Sequence, residues 1–146
     1  PDSGRRLFLG GVMIEGAPGL AGHSDADVLI HSICDAVLGA LGLGDLGRHF
    51  PDSDPHLKGV SSIVLLGKVG LLMSGKGYRL INIDAVVIAQ SPKIAPRTSE
   101  MKRLIASALG ATEAEVNIKG TSPEGLGALG RTEGIAAESI VLIGKI

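Results

Sequence analysis

The feature that most constrains the fold is the alternation of predicted strands and helices along one short chain. Residues 80–89 form the clearest strand, because β-branched side chains occur throughout this run. Apolar periodicity predicts three main helices, at residues 25–41, 61–74 and 98–109. Shorter strands are predicted between turn signals at residues 5–10, 11–15, 116–119 and 135–143, and a Gly-Gly turn joins the first two. Loops are predicted at residues 16–19, 43–55, 90–96 and 120–134, and Gly110 is the predicted end of the third helix. This order predicts a single-domain α+β fold, an α/β sandwich in which the helices cover a mixed sheet.

The composition limits both the core and the classes of partner. The chain has 146 residues and is 45% hydrophobic, yet Phe8, Phe50 and Tyr78 are its only aromatic residues, so the core must be aliphatic. A net charge of -1 with no basic run argues against bulk-charge binding to nucleic acid or a membrane surface. No apolar run reaches transmembrane length. The single cysteine, Cys34, excludes an internal disulfide and fits a reducing compartment, where a buried apolar role is expected for it.

Polar residues gather at the predicted start of the first helix. Ser24 is the predicted N-cap, and Asp27 falls where a capping box places its acid. Asp27, His31 and Asp35 are spaced four apart, so they are predicted to form one stripe along the helix. An imidazole between two carboxylates suits a metal ligand with supporting acids. A capped surface helix with a solvated stripe explains the same spacing, and the pattern alone leaves both interpretations open.

Three further segments combine polar residues with turn formers, at residues 45–54, 89–94 and 119–134. Each also has an ordinary structural explanation. Asp52 and Asp54 suit turns around neighbouring prolines, Lys93 suits a solvated loop, and Arg131 with Glu133 suits a surface pair. Glycine-rich loops with hydroxyl side chains also suit phosphate binding through backbone N–H groups, although this signal is weak alone.

Together, these segments resemble the 2-C-methyl-D-erythritol 2,4-cyclodiphosphate synthases, a family of the non-mevalonate isoprenoid pathway. The resemblance covers essentially the whole chain, and chance agreement of separate motifs in the family's order is negligible. The motifs that carry it are Ala-Gly-His-Ser-Asp-Ala-Asp at 21–27, Leu-Gly-Asp-Leu-Gly at 43–47, Phe-Pro-Asp-Ser-Asp at 50–54, Ala-Gln-Ser-Pro-Lys at 89–93 and Gly-Arg-Thr-Glu-Gly-Ile at 130–135.

The resemblance implies a homotrimer around a three-fold axis, with active sites between adjacent subunits. The implied reaction converts 4-diphosphocytidyl-2-C-methyl-D-erythritol 2-phosphate to the 2,4-cyclodiphosphate with release of CMP, by metal-assisted intramolecular phosphoryl transfer. Zinc is the implied metal of a first site, and magnesium or manganese that of a second. The expected compartment is the bacterial cytoplasm, or the plastid stroma if the source is a plant or alga. No nucleic-acid or membrane partner is implied.

Residue roles follow from the same resemblance. It assigns zinc to His31 and the second metal to Glu124, and it assigns Arg131 and Glu133 to the trimer axis. The implied catalytic residues are His23, Asp35 and Ser122. The implied substrate-binding residues, of which 89–94 surround the cytosine, are His23, Ser24, Asp45, Gly47, Phe50, Asp52, Ala89, Gln90, Ser91, Pro92, Lys93, Ile94, Thr121, Ser122 and Arg131.

The sequence also departs from the family pattern. The family's other zinc ligands lie in an Asp-x-His motif upstream of Pro1, so residues 1–146 are expected to be a synthase domain that lacks this N-terminal segment. Ala26 replaces a common glycine, a change that is harmless if the position is helical. Gly120, Ser122 and Pro123 replace the usual Ala-Thr-Thr positions, which stiffens that loop. Ala128 stands where an aromatic residue often narrows the axial cavity.

Two alternative functions stay open from the sequence. One is a non-catalytic trimer that binds cytidine nucleotides and has lost its metal site. The other is one half of a fused enzyme that also performs the preceding cytidylyltransferase step. An upstream Asp-x-His motif would favour the synthase over the binding protein, because catalytic zinc takes three protein ligands. A much longer N-terminal extension would indicate the fusion.

Overall fold

A computed structural model describes residues 1–146, and its centre is a three-stranded mixed sheet. The strand order is β4-β3-β5, with β3 (Tyr78–Ile88) in the middle. β4 (Val116–Thr121) runs parallel to β3, and β5 (Ala136–Lys145) runs antiparallel to it. The strands predicted in these regions are confirmed, and each is one or two residues longer than predicted. The mixed sheet of an α+β fold is therefore present.

A separate hairpin precedes the sheet. It consists of β1 (Asp2–Leu9) and β2 (Val12–Gly19), joined at Gly10 and Gly11. These two glycines have φ angles of 62° and 79°, so the predicted Gly-Gly turn is confirmed. The prediction of a loop at residues 16–19 was wrong, because pairing with β1 continues through an irregular register as far as Gly19. Here cross-strand pairing outweighs the local turn signal of glycine and proline.

Three main helices, α1 (Val28–Ala40), α3 (Ser62–Gly75) and α4 (Thr98–Leu109), pack with the sheet around an aliphatic core. Gly110 ends α4 in the left-handed conformation at a φ of 64°, as predicted. Two four-residue helices, α2 (Leu46–His49) and α5 (Gly127–Gly130), lie in segments predicted as loops. Cys34 is fully buried in the core, as expected. None of the helices has the length and apolarity that a membrane span needs.

The start of α1 differs from the prediction. Asp27, rather than Ser24, is the N-cap, and its carboxylate accepts a 3.0 Å hydrogen bond from the N–H of Ile30. Ala26 has a φ of 57°, in the left-handed region, so a right-handed helix cannot include it. The condition under which Ala26 was expected to be harmless, a helical position, is therefore not met, and a residue with a Cβ is strained in this conformation.

Asp27 is also not part of a surface stripe. Its side chain is fully buried, and it accepts hydrogen bonds from the N–H groups of Gly10, at 3.0 Å, and Gly11, at 2.7 Å. Burial raises the pKa of Asp27 to about 6, against the opposing effect of its three backbone N–H donors. The carboxylate therefore has a structural role, which is to fasten the β1–β2 turn to the first turn of α1.

On the face of the sheet that points away from the helices, β5 carries two exposed large aliphatic residues next to Glu138. Ser139 faces α1, because its Oγ lies 2.6 Å from the Oγ of Ser32. Ile140 and Leu142 alternate with the residues on that inner face, and they are 77% and 58% exposed. An exposed pair of large aliphatic residues on a sheet face is typical of a contact surface rather than of a solvated one.

Candidate active site

A cavity of about 500 Å³ lies against the loop that precedes α1. Its wall combines backbone and apolar groups from residues 20–28 and 134–135 with a set of polar side chains. Those polar side chains are His23, Ser24, His31, Asp52 and Glu133. Three of the sequence motifs therefore meet at one cavity, although they are far apart along the chain.

His31 is held in the wall of this cavity by two hydroxyl groups. Its Nε2 lies 2.8 Å from the Oγ of Ser62 and 3.2 Å from the Oγ of Ser24. Burial lowers the pKa of His31, while the negative charges of Asp25, Asp35 and Asp52 oppose that shift. The net lowering favours the neutral imidazole at pH 7, which is the form that binds a metal ion.

Asp25 connects the loop before α1 to the first turn of α3. Its Oδ2 accepts a 2.9 Å hydrogen bond from the N–H of Ser62, and its Oδ1 accepts one from the Ser62 hydroxyl. The N–H of Asp25 donates to the carbonyl of Val60 at 3.1 Å. Sequence reasoning missed Asp25 and Ser62 as site residues. The signal for Asp25 was its place in the 21–27 motif, whereas no local pattern pointed to Ser62.

The loop that carries His23 and Ser24 has further supports. The Nε2 of His23 lies 3.0 Å from the carbonyl oxygen of Asp54, and the carbonyl of His23 accepts a 2.8 Å hydrogen bond from Gly59. On the other side, the guanidinium of Arg5 donates to the carbonyl oxygens of Gly22 and Ser24. These bonds fix the loop between β1 and the 54–62 segment, so its side chains face the cavity in a defined position.

A second cavity, of about 160 Å³, lies where the parallel strands β3 and β4 end. The carboxyl ends of parallel strands are a common place for ligands. The N–H of Ala89 donates to the carbonyl of Thr121 at 3.2 Å, and the side-chain Oε1 of Gln90 accepts a 2.8 Å hydrogen bond from Gly125. The structure thus brings together the predicted binding residues Ala89, Gln90, Pro92, Lys93, Ile94, Thr121 and Ser122.

A third cavity, of about 320 Å³, lies between the first two. It shares Leu20, Gly134 and Ile135 with the first cavity and Pro92 with the second. Ser91 lines this third cavity and does not line the second. The third cavity therefore adjoins both of the others.

Other predicted site residues lie outside these cavities. Asp45 caps α2 by accepting a 2.9 Å hydrogen bond from the N–H of Arg48, and Gly47 lies within that helix. Phe50 ends α2 and packs against the core, with the Nζ of Lys68 at 5.9 Å from its ring centroid. The Asp35 carboxylate accepts a 2.7 Å hydrogen bond from Leu46, which fixes α2 to α1.

The remaining predicted residues lie in the loop between β4 and β5. Glu124 is exposed and adopts a positive φ of 56°. The Nε of Arg131 lies 2.6 Å from the Oε2 of Glu133 in an exposed ion pair, and Glu133 also lines the first cavity. The structure therefore pairs the two residues assigned to the trimer axis.

The first cavity offers one suitable ligand for a catalytic metal. His31 fits as one ligand, because it is a buried imidazole whose neutral form is favoured. No group of three His, Cys, Asp or Glu side chains in the chain surrounds a common point. Catalytic zinc takes three protein ligands, so residues 1–146 supply part of such a set and do not complete it.

The model of the YgbB family matches residues 2–144, and the chain belongs to this family. Within it, the similar proteins are 2-C-methyl-D-erythritol 2,4-cyclodiphosphate synthases. The synthase of Syntrophotalea carbinolica is 56% identical over 141 residues, which cover 97% of this chain and 86% of that protein. The synthase of Alkaliphilus metalliredigens is 55% identical over 142 residues, with coverages of 97% and 89%.

Some of the similar proteins are bifunctional enzymes. The bifunctional enzyme IspD/IspF of Anaeromyxobacter sp. (strain Fw109-5) is 54% identical over 143 residues, and the chain spans 37% of its length. The solved structure of the bifunctional IspDF from Campylobacter jejuni matches with a TM-score of 0.94 at 43% identity, covering 100% of this chain and 39% of that one. In these bifunctional relatives, the region that matches this chain is therefore one part of a longer protein.

A second solved structure links the fold to a nucleotide. The CDP complex of IspF from Plasmodium falciparum matches with a TM-score of 0.86 at 35% identity, covering 99% of this chain and 86% of that one. These comparisons confirm the family, the α+β fold and the synthase activity that the motifs predict. The family is one of metal-dependent enzymes.

Proposed function

We propose that the chain binds 4-diphosphocytidyl-2-C-methyl-D-erythritol 2-phosphate and closes it to 2-C-methyl-D-erythritol 2,4-cyclodiphosphate. An oxygen of the 2-phosphate attacks the β-phosphorus of the diphosphate, the bond to the CMP phosphate breaks, and CMP leaves. The observation that carries the proposal is the series of three adjoining cavities. One end holds His23 and Ser24, which suit phosphate oxygens, and the other is a small pocket at strand ends, which suits a base.

The role of the residues around the first cavity is to position the phosphates. The attacking phosphate oxygen is already anionic, so no protein nucleophile is needed. His23 and Ser24 bind the phosphate oxygens in this proposal, and their loop is fixed on both sides by hydrogen bonds. Holding nucleophile and phosphorus in line exploits proximity, an effect that reaches ~7–11 kcal/mol in favourable cases.

The second cavity is the proposed cytosine site. Its lining by Ala89, Pro92 and Ile94 offers apolar surface for a flat base, and the neighbouring backbone groups offer hydrogen-bonding partners. The CDP in the P. falciparum structure supports a nucleotide ligand for the family. Lys93 and Ser122 also line this cavity, where they suit the α-phosphate of the leaving CMP.

His31 is the proposed ligand of zinc, and Glu124 is the proposed ligand of a magnesium or manganese ion. Divalent cations at such positions neutralise charge on the phosphoryl oxygens when they are bound. Asp35 lies one helical turn after His31, where its negative charge favours a cationic site. Asp45, Gly47, Phe50 and Asp52 are proposed to bind the erythritol part of a substrate.

We also propose that the protein works as a homotrimer. The exposed pair Ile140 and Leu142 on the outer face of the sheet supports an interface there. Asp45 and Gly47 lie outside the cavities of their own chain. They are therefore proposed to reach the site of a neighbouring subunit. Arg131 and Glu133 stay assigned to the axis of this assembly.

Turnover of the full-length protein tests the proposed function. The protein is incubated with the substrate, zinc and magnesium, and release of CMP is followed by chromatography. We expect CMP release in wild type and its loss in the His31→Ala variant. His56→Ala is the matched control, because His56 is exposed, only its backbone N–H has a hydrogen-bond partner, and it should leave turnover intact. Binding of CDP without any release of CMP would instead identify a nucleotide-binding protein.

A further inference from the structure

Asp25 and Ser62, to which the proposed function gives no role, form a hydrogen-bonded chain with His31. Ser62 is fully buried, at 0% exposure, and its hydroxyl is the middle member of this chain. The Oγ of Ser62 lies 2.8 Å from the Nε2 of His31 and donates to the Oδ1 of Asp25. The Oδ2 of Asp25 accepts the N–H of the same serine at 2.9 Å. Both carboxylate oxygens of Asp25 thus accept hydrogen bonds from Ser62, and Oδ1 also accepts a 3.2 Å hydrogen bond from the N–H of Asp27.

The donors and acceptors in this chain determine where the proton on His31 lies. An ionised carboxylate only accepts hydrogen bonds, whereas a hydroxyl has one hydrogen to donate. Because the hydrogen of Ser62 points to Asp25, its oxygen offers only lone pairs to the ring. The Nε2 of His31 must therefore be the donor in the 2.8 Å contact. A neutral imidazole has one N–H, so its Nδ1 carries the lone pair.

Ser24 is compatible with this assignment. Its Oγ accepts a 3.2 Å hydrogen bond from the N–H of Ala26 and lies 3.2 Å from the Nε2 of His31. The oxygen of Ser24 has a second lone pair, so it can share the ring N–H with Ser62. Its own hydrogen is then left to point to a ligand in the cavity.

We propose that Asp25 and Ser62 are positioning residues that keep the ring proton of His31 on Nε2 and leave Nδ1 as the nitrogen available to a ligand. The inference rests on the proposed function only in naming a divalent cation as that ligand. In metal sites, the partner of the non-ligating nitrogen fixes the tautomer and the ring orientation. Asp25 and Ser62 would supply this support from outside the cavity wall.

The substitution Asp25→Asn separates this role from a purely structural one. An asparagine can keep an oxygen at only one of the two carboxylate positions. We expect the oxygen to stay on the 2.9 Å contact with the N–H of Ser62, which keeps the connection to α3, because the flipped amide would place two N–H donors against each other there. The cost is the longer 3.2 Å hydrogen bond from the N–H of Asp27. The amide nitrogen then faces the Ser62 oxygen and donates to it. Ser62 must therefore turn its hydrogen to His31, and the ring proton moves to Nδ1. A structural role alone predicts no change of tautomer.

The experiment is a long-range ¹H–¹⁵N correlation spectrum of the protein with labelled histidine, recorded with a metal chelator at a pH where the ring is neutral. We expect the Nε2–H pattern for His31 in wild type and the Nδ1–H pattern in Asp25→Asn. Asp35→Asn is the matched control, because it removes a similar nearby charge and has no bond to Ser62, so the wild-type pattern should persist. Assignment comes from the signal that His31→Ala removes.

A second pair of variants covers the case in which Asp25→Asn does not fold. Ser62→Thr keeps a hydroxyl and should retain the Nε2–H pattern, whereas Ser62→Ala should lose exclusive Nε2 protonation. An Nδ1–H pattern in wild type, or the same tautomer in wild type and Asp25→Asn, would overturn the proposal. The spectra need neither substrate nor metal, so an inactive protein with the expected spectra would reject the proposed function and leave this inference standing.

Discussion

The carboxylate of Asp27 accepts a 2.7 Å hydrogen bond from the backbone N–H of Gly11. This contact joins the tip of the β1–β2 hairpin to the N-terminus of α1. The same carboxylate caps the helix through Ile30, and His31 follows in the next position. The orientation of the histidine in the cavity therefore depends on a buried acid that has no contact with the cavity itself.

We expect the substitution Asp27→Asn to destabilise the protein. An amide nitrogen would face a backbone N–H, which leaves a buried donor unpaired at a cost of about 1–3 kcal/mol in the free energy of unfolding. Urea denaturation measures the change. Asp45→Asn is the control, since asparagine is an equally good cap at an exposed helix start and should change stability little. Equal stability of Asp27→Asn and wild type would show that the buried bonds are not needed.

The same carboxyl should titrate well above the usual range of aspartate. Burial raises its pKa to about 6, from 3.8. Because the folded state holds the proton more tightly than the unfolded chain, this group's contribution to stability is present below pH 3.8 and is lost as pH rises through about 6. The stability advantage of wild type over Asp27→Asn should therefore decrease from pH 4 to pH 7. The ¹³C NMR spectra of wild type should show one carboxyl signal that titrates near pH 6, and this signal should be absent from Asp27→Asn. A wild-type Asp27 carboxyl that titrates below pH 4 would contradict the prediction.

The left-handed conformation at Ala26 predicts that Ala26→Gly is stabilising. The φ of 57° costs a residue with a Cβ about 1–2 kcal/mol, and glycine avoids this cost. The greater freedom of glycine in the unfolded chain offsets part of the gain, so a net rise of about 0.5 kcal/mol in unfolding free energy is expected. Thermal denaturation checks this. Ala36→Gly, in the interior of α1, should instead lower stability by about 1 kcal/mol, and a loss at both positions would argue against the left-handed strain.

The proposed homotrimer predicts that a charge on the outer face of the sheet disrupts assembly. Ile140→Lys should convert the trimer to monomer, because the lysine charge would have to leave water in the interface, and the acid opposite it, Asp84, already pairs with Lys119. Light scattering coupled to size-exclusion chromatography measures the mass. Leu71→Lys is the matched control, since Leu71 is 73% exposed on α3 and lies away from the sheet face. A trimer that survives Ile140→Lys would show that the interface lies elsewhere.

Local sequence signals predicted the end of a helix correctly where a single residue determines it. Gly110 ends α4 as predicted, because its left-handed conformation depends on the residue itself. The start of α1 could not be decided in this way. Ser24, Asp25 and Asp27 are all good caps, and the choice among them depends on the amides of the β1–β2 turn. Those amides lie 16 and 17 residues away along the chain.

The site residues also separate into those that sequence motifs predicted and those that depend on distant contacts. Motif resemblance pointed to His23, His31 and residues 89–94, and the structure places them along one series of cavities. Ser62 was missed because its partner His31 is 31 residues away, and a serine at a helix start has an ordinary capping explanation. Residues such as Asp45 and Glu124 lie outside these cavities, so their assignment depends on an assembly that one chain does not contain.

The most direct test of the proposed chemistry is to run the reaction of the full-length protein in ¹⁸O-labelled water and analyse both products by mass spectrometry. Attack by the substrate's own phosphate predicts a cyclic diphosphate and CMP that contain no ¹⁸O from the solvent. Hydrolysis would place one ¹⁸O in CMP or in a linear phosphorylated product. Incorporation of solvent oxygen would contradict the proposal that the bound substrate closes on itself.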